Sequence, residues 1–318
     1  MSTPCSLQSA ALGEQLAGTA PVNRSWIVVE HNGPWGRDAL ADSDLPAAVR
    51  TSLSSAKAHG VGVLLARRPD RSAAVPSSPG HHVWIARSAA GGMLLREAVL
   101  PTLDEISDWD MAAIGAGVLP GVGSVSQEPL LLVCTHSRRD QCCAQHGRAL
   151  LAGLLEQETP LRTRIWECSH IGGHRFAPVT LSLPAGIVHG RMSIQEGVRS
   201  LALLGQGRVL PDRMRGRSSL PEPLQSAEVA VRQAAGIDGI DDLDVLLVHD
   251  DRAVPVAWGW AVPMGTVELE VRHADGRAWR TVVESRRSDA VRSESCGKDP
   301  VPIHEWVTSG VAPAPNWS

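Results

Sequence analysis

Leu130-Leu-Leu-Val-Cys-Thr-His-Ser-Arg-Arg-Asp-Gln-Cys-Cys143 is the stretch on which the fold turns. Leu130 to Val133 is a continuous apolar run, as expected of a strand buried on both faces. The segment after it carries Cys143, Gly147, Leu150, Leu151 and Leu154 on one helical stripe. Arg164 to Glu167 reads as the next strand. Val179 to Leu183 and Ile187 to Arg191 read as a hairpin across Pro184-Ala-Gly186. A last helix opens at Ser193-Ile-Gln-Glu196, a capping box, and stops at Gly205. Strand, helix, strand, hairpin and helix make a thioredoxin-like order over residues 124–207.

The same order is expected upstream, over residues 1–123. Trp26 to Glu30 reads as a buried strand, followed by turn chemistry in His31-Asn-Gly-Pro-Trp-Gly36. A helix capped near Asp44, with Pro46 in its first turn, spaces Leu45, Val49, Leu53 and Ala56 helically and ends before Gly60. Val61 to Ala66 and His82 to Ala86 read as strands separated by a Pro/Ser-rich loop, and Ala89 to Gly92 as a turn into Met93 to Glu97. This segment is a possible degenerate copy of the second, on topology alone. Residues 208–318 read as an Arg-rich linker (Arg208, Arg213, Arg215, Arg217) and a small α+β extension. The extension has a helix over 224–235, a strand over 245–248, and a hairpin joining Val267–Val271 to Trp279–Val283 at Asp275-Gly276. The polar tail after Ser285 is expected to be loosely ordered. The fold class is therefore α/β (α+β).

A length of 318 residues suggests about two domains, and 43% hydrophobic residues can bury a sizeable core. A net charge of −4 gives no reason to expect nucleic acid or an anionic membrane as partner. Ten Trp, one Phe and no Tyr exclude tyrosyl radical chemistry. The N-terminus lacks a basic-then-apolar leader, and no apolar run approaches the ~18 residues of a membrane span. A cytoplasmic protein with reduced thiols is expected. Its six cysteines then read as metal ligands or free thiols, not as a disulfide framework.

Four of the chain's Cys and His residues form two short clusters: Cys134 with Cys143, and His170 with His174. Cys134 ends a strand and Cys143 falls in the first helical turn, where the positive helix end favours a thiolate. Gly172-Gly173 places the histidines on a loop whose backbone can approach a cofactor. Two loops at strand ends thus bring two ligands each to one end of the domain. Zinc accepts such a set, and so does a [2Fe–2S] cluster with two Cys on one iron and two His on the other. The wide Cys134-x₈-Cys143 spacing leans towards the cluster.

Leu132 to Cys143 and Trp166-Glu-Cys-Ser-His-Ile-Gly-Gly-His-Arg-Phe-Ala-Pro178 resemble the sucrase/ferredoxin-like family, a branch of the thioredoxin-like ferredoxins. Trp26 to Gly36 resembles the family's N-terminal part, so the likeness covers about residues 20 to 220. It implies a [2Fe–2S] cluster bound by Cys134, Cys143, His170 and His174, in the subgroup with a histidine pair where relatives carry cysteines. No carboxylate pair supports a sucrase. Cys142 points about 100° off the apolar stripe and reads as a non-ligand, like Cys168. Cys5 and Cys296 read as incidental thiols. His136 is a candidate neighbour of the site, and Arg138, Arg139 and Arg175 a candidate electropositive rim.

The expected function is one-electron transfer between a reductase and an acceptor protein, with no catalysis required of the chain alone. Ring nitrogens left free on histidine ligands predict a reduction potential that falls as pH rises. A cluster-based redox sensor, a zinc-stabilised interaction module and a thiol–disulfide oxidoreductase are the alternatives. Against the last, the chain has no Cys-x-x-Cys pair, and vicinal Cys142-Cys143 does not readily form a low-strain disulfide.

Overall fold

The computed structural model describes residues 3–69, 80–89, 91–257 and 259–314. The Pro/Ser-rich loop between the second and third strands, and Ala90 of the expected turn, lie outside them. A short helix, α1 (Cys5–Ala11), opens the chain. Strand β1 (Ser25–Glu30) is buried along its whole length. Helix α2 (Ala47–Ser55) follows, with Pro46 just ahead of its first residue. Asp44 does not cap it; its carboxylate lies 3.1 Å from His31 Nε2. Strands β2 (Val61–Arg67), β3 (His81–Arg87) and β4 (Leu94–Leu100), helix α3 (Met111–Gly115) and the two-residue strand β5 (Ser124–Val125) complete the first half.

The second half runs β6 (Leu130–Cys134), α4 (Gln141–Leu155), β7 (Ile165–Cys168), β8 (Val179–Leu183), β9 (Ile187–Gly190), α5 (Ile194–Leu204) and β10 (Met214–Arg217). The capping box at Ser193 and Glu196 forms in both directions. All ten strands join in one sheet of order β10-β9-β8-β6-β7-β2-β1-β3-β4-β5. Within it β6 is parallel to β7 and antiparallel to β8, and β8 is antiparallel to β9. In the first half β1 is parallel to β2 and antiparallel to β3, and β3 is antiparallel to β4. The halves therefore carry one thioredoxin-like pairing pattern twice. They meet where β2 pairs antiparallel with β7 through Ala66↔Cys168 and Arg67↔Glu167.

The continuous burial of β1 and β6 follows from covering both faces. In the first half Ile27 and Val29 pack on Val49 and Leu53 of α2. In the second, Leu131 and Val133 pack on Leu150 and Leu154 of α4 and Leu201 of α5. The opposite faces share one core: Trp26, Val28, Leu64 and Trp84 from the first half, and Leu130, Leu132, Cys134, Trp166 and Phe176 from the second. The Trp84 and Trp166 rings meet edge to face at 4.7 Å. Such rings are the largest buried apolar surfaces a chain without Tyr can supply, and three of the ten Trp, Trp26, Trp84 and Trp166, serve to join the halves.

Residues 208–217 are not a flexible linker. Arg215 and Arg217 lie on β10 with side chains 2% and 1% exposed. Arg217 on β10 and Arg232 both bond Glu228, in a fully buried triad that ties β10 to helix α6 (Glu222–Ala235). A second sheet follows, made of β11 (Leu243–His249), β12 (Arg252–Val254), β13 (Thr266–His273), β14 (Ala278–Ser293) and β15 (Pro300–Pro313), in the order β12-β11-β13-β14-β15. The expected hairpin has the expected register, Val267↔Val283 and Val271↔Trp279. Contrary to expectation, the tail is ordered over residues 286–314. Ile303 and Trp306 on β15 are buried, and β15 pairs with β14 from Trp279↔Pro313 to Ser293↔Pro300. Cross-strand pairing and two apolar anchors outweigh the tail's polar composition.

Candidate metal centre

Cys134 is the last residue of β6, and its side chain faces the core between the halves. Cys143 lies in the first turn of α4, which Asp140 caps by accepting from the Cys142 N–H at 2.8 Å. A close helix–strand approach brings these two sulfurs together. Gly147 sits against the Cys134 carbonyl, where a Cβ would stand 2.0 Å from the oxygen. The Cys134 and Cys143 sulfurs and a ring nitrogen of His170 lie within 4.8 Å of one another. His170 Nδ1 is 3.9 Å from Cys134 Sγ and 3.8 Å from Cys143 Sγ. Its Nε2 lies 3.2 Å from Nδ1 of His174, and the two rings stack at 4.9 Å. The order in space is thiolate pair, His170, His174. The structure thus brings the four sequence-predicted residues to one place, with His174 outside the tight group of three.

The loop holding the histidines is fixed from three sides. Ser169, at its start, donates its N–H to the Leu65 carbonyl at 2.8 Å and accepts from the Leu65 N–H at 3.0 Å. Gly172 and Gly173 have φ of 113° and 72°, which side-chain-bearing residues rarely adopt. Arg215, fully buried, donates Nη1 to the Gly172 carbonyl at 2.8 Å, Nε to Thr19 Oγ1 at 3.0 Å and Nη2 to the Thr19 carbonyl. A Cβ on Gly173 would meet that guanidinium at 2.5 Å. Burial lowers the Arg215 pKa to about 9, which leaves it charged at neutral pH. Arg175 lies over the Phe176 ring and bonds Glu14 at 2.8 Å. Beyond Cys134, Thr135 donates to Glu167, which Arg67 also holds.

Electrostatics favour thiolate at Cys134. A hydrogen bond from Cys143 holds its pKa well below the usual thiol value against the opposing effect of burial, helped by His170 and the His136 backbone N–H. The same bond and burial push Cys143 up, so the pair shares its protons. Burial, and then the neighbouring His170, lower the His174 pKa, leaving a neutral imidazole of the kind a metal ligand must be. The His136 side chain turns away, with Nε2 2.7 Å from the Gly36 carbonyl. Cys168 is fully buried opposite Cys134 in the β6–β7 register and lies outside the donor group. Burial raises its pKa well above the ordinary value. Arg138, Arg139 and Arg148 are exposed, and Arg148, on α4, lines one pocket with Arg138. Arg175 is engaged by Glu14.

Sequence reasoning passed over a second group. Cys5, Cys142, Cys296 and Asp140 also offer donor atoms within 4.8 Å of one another. Their positions, on α1, on α4 and between β14 and β15, leave no spacing motif to read. Cys142 and Cys143 project into different groups, so they do not act as a vicinal dithiol.

A thioredoxin-like pairing pattern with a Cys/His donor group at its strand ends defines a candidate metal-binding α/β protein. The Sucrase/ferredoxin-like family model matches residues 16–216, and the chain belongs to that family. No curated protein and no solved structure shows significant similarity to it. Among the described residues no helix is long and apolar enough to cross a membrane.

Proposed function

We propose that Cys134, Cys143, His170 and His174 hold a [2Fe–2S] cluster and that the protein is a one-electron carrier. The observation that carries this reading is the paired donor arrangement: two sulfurs beside one ring nitrogen of His170, with the other ring nitrogen 3.2 Å from His174. Two nitrogens sharing one tetrahedral metal at about 2.0 Å stand about 3.3 Å apart. Two thiolates and two neutral imidazoles fit the ligation with one pair on each iron. When bound, such a cluster supplies reversible one-electron transfer.

The chain's own residues supply the rest. The shared core shields the Cys134 side, while His170 is half-buried and gives the site its open edge. Arg138, Arg139 and Arg148 form an exposed basic rim suited to an acidic redox partner, which they would orient without a large buried interface. A second reading, a single zinc ion at Cys134, Cys143 and His170, is favoured by the tightness of that group of three.

Spectroscopy separates the two. Anaerobically purified protein should be coloured, contain iron and sulfide, and give on dithionite reduction an EPR signal with average g below about 2. The signal should disappear in His170→Ala and His174→Ala. Colourless protein that holds zinc, even after reconstitution with iron and sulfide, would sink the carrier reading.

A further inference from the structure

We propose a second, mononuclear metal site in which the thiolates of Cys5, Cys142 and Cys296 and the carboxylate of Asp140 bind a thiophilic divalent cation, zinc. The three sulfurs form a nearly equilateral triangle: Cys5 to Cys142 is 3.7 Å, Cys142 to Cys296 is 3.4 Å and Cys296 to Cys5 is 3.6 Å. Zinc–sulfur bonds of about 2.3 Å set two corners of a tetrahedron about 3.8 Å apart, so the triangle is close to one face of a zinc thiolate site. Both Asp140 oxygens lie 3.9 Å from Cys5 Sγ, on the side of the fourth corner. A disulfide needs a sulfur–sulfur distance of about 2.05 Å and would strand the third cysteine. A four-iron cube spreads its cysteine sulfurs much wider than this.

The surroundings are those of a built site. Cys5 and Cys142 are 0% and 1% exposed. The Cys142 sulfur accepts from Ser6 Oγ at 3.3 Å, and the Cys296 sulfur accepts from the Cys5 backbone N–H at 3.5 Å. Donors of this kind orient thiolate ligands and offset their charge. Asp140 is oriented by the N–H groups of Cys142 and Cys296, each at 2.8 Å, and by Ser295 Oγ at 3.0 Å. The N-terminal end of α4 adds its positive pole beside the thiolates. The three cysteines come from the two ends and the middle of the chain, 137, 154 and 291 residues apart. An ion here would clamp α1 and the β14–β15 turn to the helix that carries Cys143. The site uses none of the proposed cluster ligands, though Asp140 Oδ2 lies 3.8 Å from His174 Nε2, so the two sites adjoin.

The test is metal analysis and zinc K-edge absorption on the full chain, purified anaerobically and then incubated with zinc sulfate and dialysed. About one zinc per chain is expected, with three sulfurs at about 2.3 Å and one oxygen. The double variant Cys5→Ser/Cys296→Ser should lose at least about nine-tenths of that zinc while keeping the iron content and visible spectrum of wild type. His170→Ala/His174→Ala should keep the zinc whatever happens to iron, so failure here is distinct from failure of the cluster reading. Cys296→His preserves a donor and should retain zinc in folded protein. Wild-type protein without zinc overturns the site. So does zinc lost from the histidine variant but not from the cysteine variant, or a disulfide among these three cysteines in the anaerobic protein.

Discussion

Gly147→Ala isolates the geometric requirement of the Cys134–Cys143 pair. A Cβ at this position stands 2.0 Å from the Cys134 carbonyl oxygen, which is backbone and cannot rotate aside. Non-bonded contact in a close-packed interior requires the helix to retreat by about 1 Å. Cys143 lies one turn ahead on the same stripe and moves with the helix, while Cys134 is the residue that pushes. Metal–ligand lengths tolerate only about ±0.2 Å, so the pair should lose metal well before the fold fails. Overpacking costs about 1–3 kcal/mol, against about 1 kcal/mol regained by placing Ala for Gly in a helix interior. The net loss of about 0–2 kcal/mol lowers Tm by at most about 8 °C, at about 2–4 °C per kcal/mol. Metal retention against a chelator should fall about tenfold or more, with circular dichroism unchanged at 25 °C. Gly153→Ala is the control: its Cβ meets the Ile194 Cγ2 methyl at 2.4 Å, so the overpacking falls on α5 and not on a donor residue. Wild-type metal retention in Gly147→Ala would refute the reasoning.

Three further outcomes are expected. Glu14 is buried, which pushes its carboxyl pKa up, but Arg292 and Arg175 prevail and hold it below the ordinary value. Its stabilisation is therefore full above the unfolded value of about 4.3 and is lost as pH falls through the folded value. Glu14→Gln should cost about 3 kcal/mol at pH 7 in urea titrations, and the gap to wild type should narrow as pH falls below about 4.3 towards the folded value; a gap constant down to strong acid would count against the assignment. Glu228→Gln leaves Arg217 and Arg232 buried without a counter-charge and should cost about 3–5 kcal/mol by denaturation midpoint, whereas replacing all three with apolar residues should recover most of that loss. Arg215→Met removes the donors that hold the Gly172 and Thr19 carbonyls, so about 2–4 kcal/mol should be lost, together with looser metal binding; unchanged metal retention would show that the loop does not need this anchor.

The second half was legible because its signals are local. A continuous apolar run, a capping box at Ser193 and a glycine pair between two histidines each act within a few residues, and each has its expected form here. The nearness of Cys134, Cys143, His170 and His174 was legible for the same reason, as two short clusters, and three of them lie within 4.8 Å of one another. What escaped notice depends on partners remote in sequence. Arg215 and Arg217 look like a solvated basic stretch until Gly172, Thr19 and Glu228 surround them. The tail after Ser285 looks too polar to order until β14 extends to meet it. Cys5 and Cys296 looked incidental because nothing in their neighbourhoods announces that α4 lies between them. Two copies of one pairing pattern were visible as a topological echo. Their shared tryptophan core was not, because a face buried by another half carries the same apolar alternation as one buried by a helix.

The join between the halves rests on a short stretch of sheet, Ala66↔Cys168 and Arg67↔Glu167, continued by the paired bonds between Leu65 and Ser169. Strand β7 leaves that stretch and becomes the histidine loop at the next residue. The first half, which supplies no donor to the Cys134, Cys143 and His170 group, therefore acts as the fixed jaw against which His170 is set. A docking protein that pried at the join would shift the imidazole pair against the thiolate pair without touching any of them, so the seam would be a mechanical handle on the proposed metal centre.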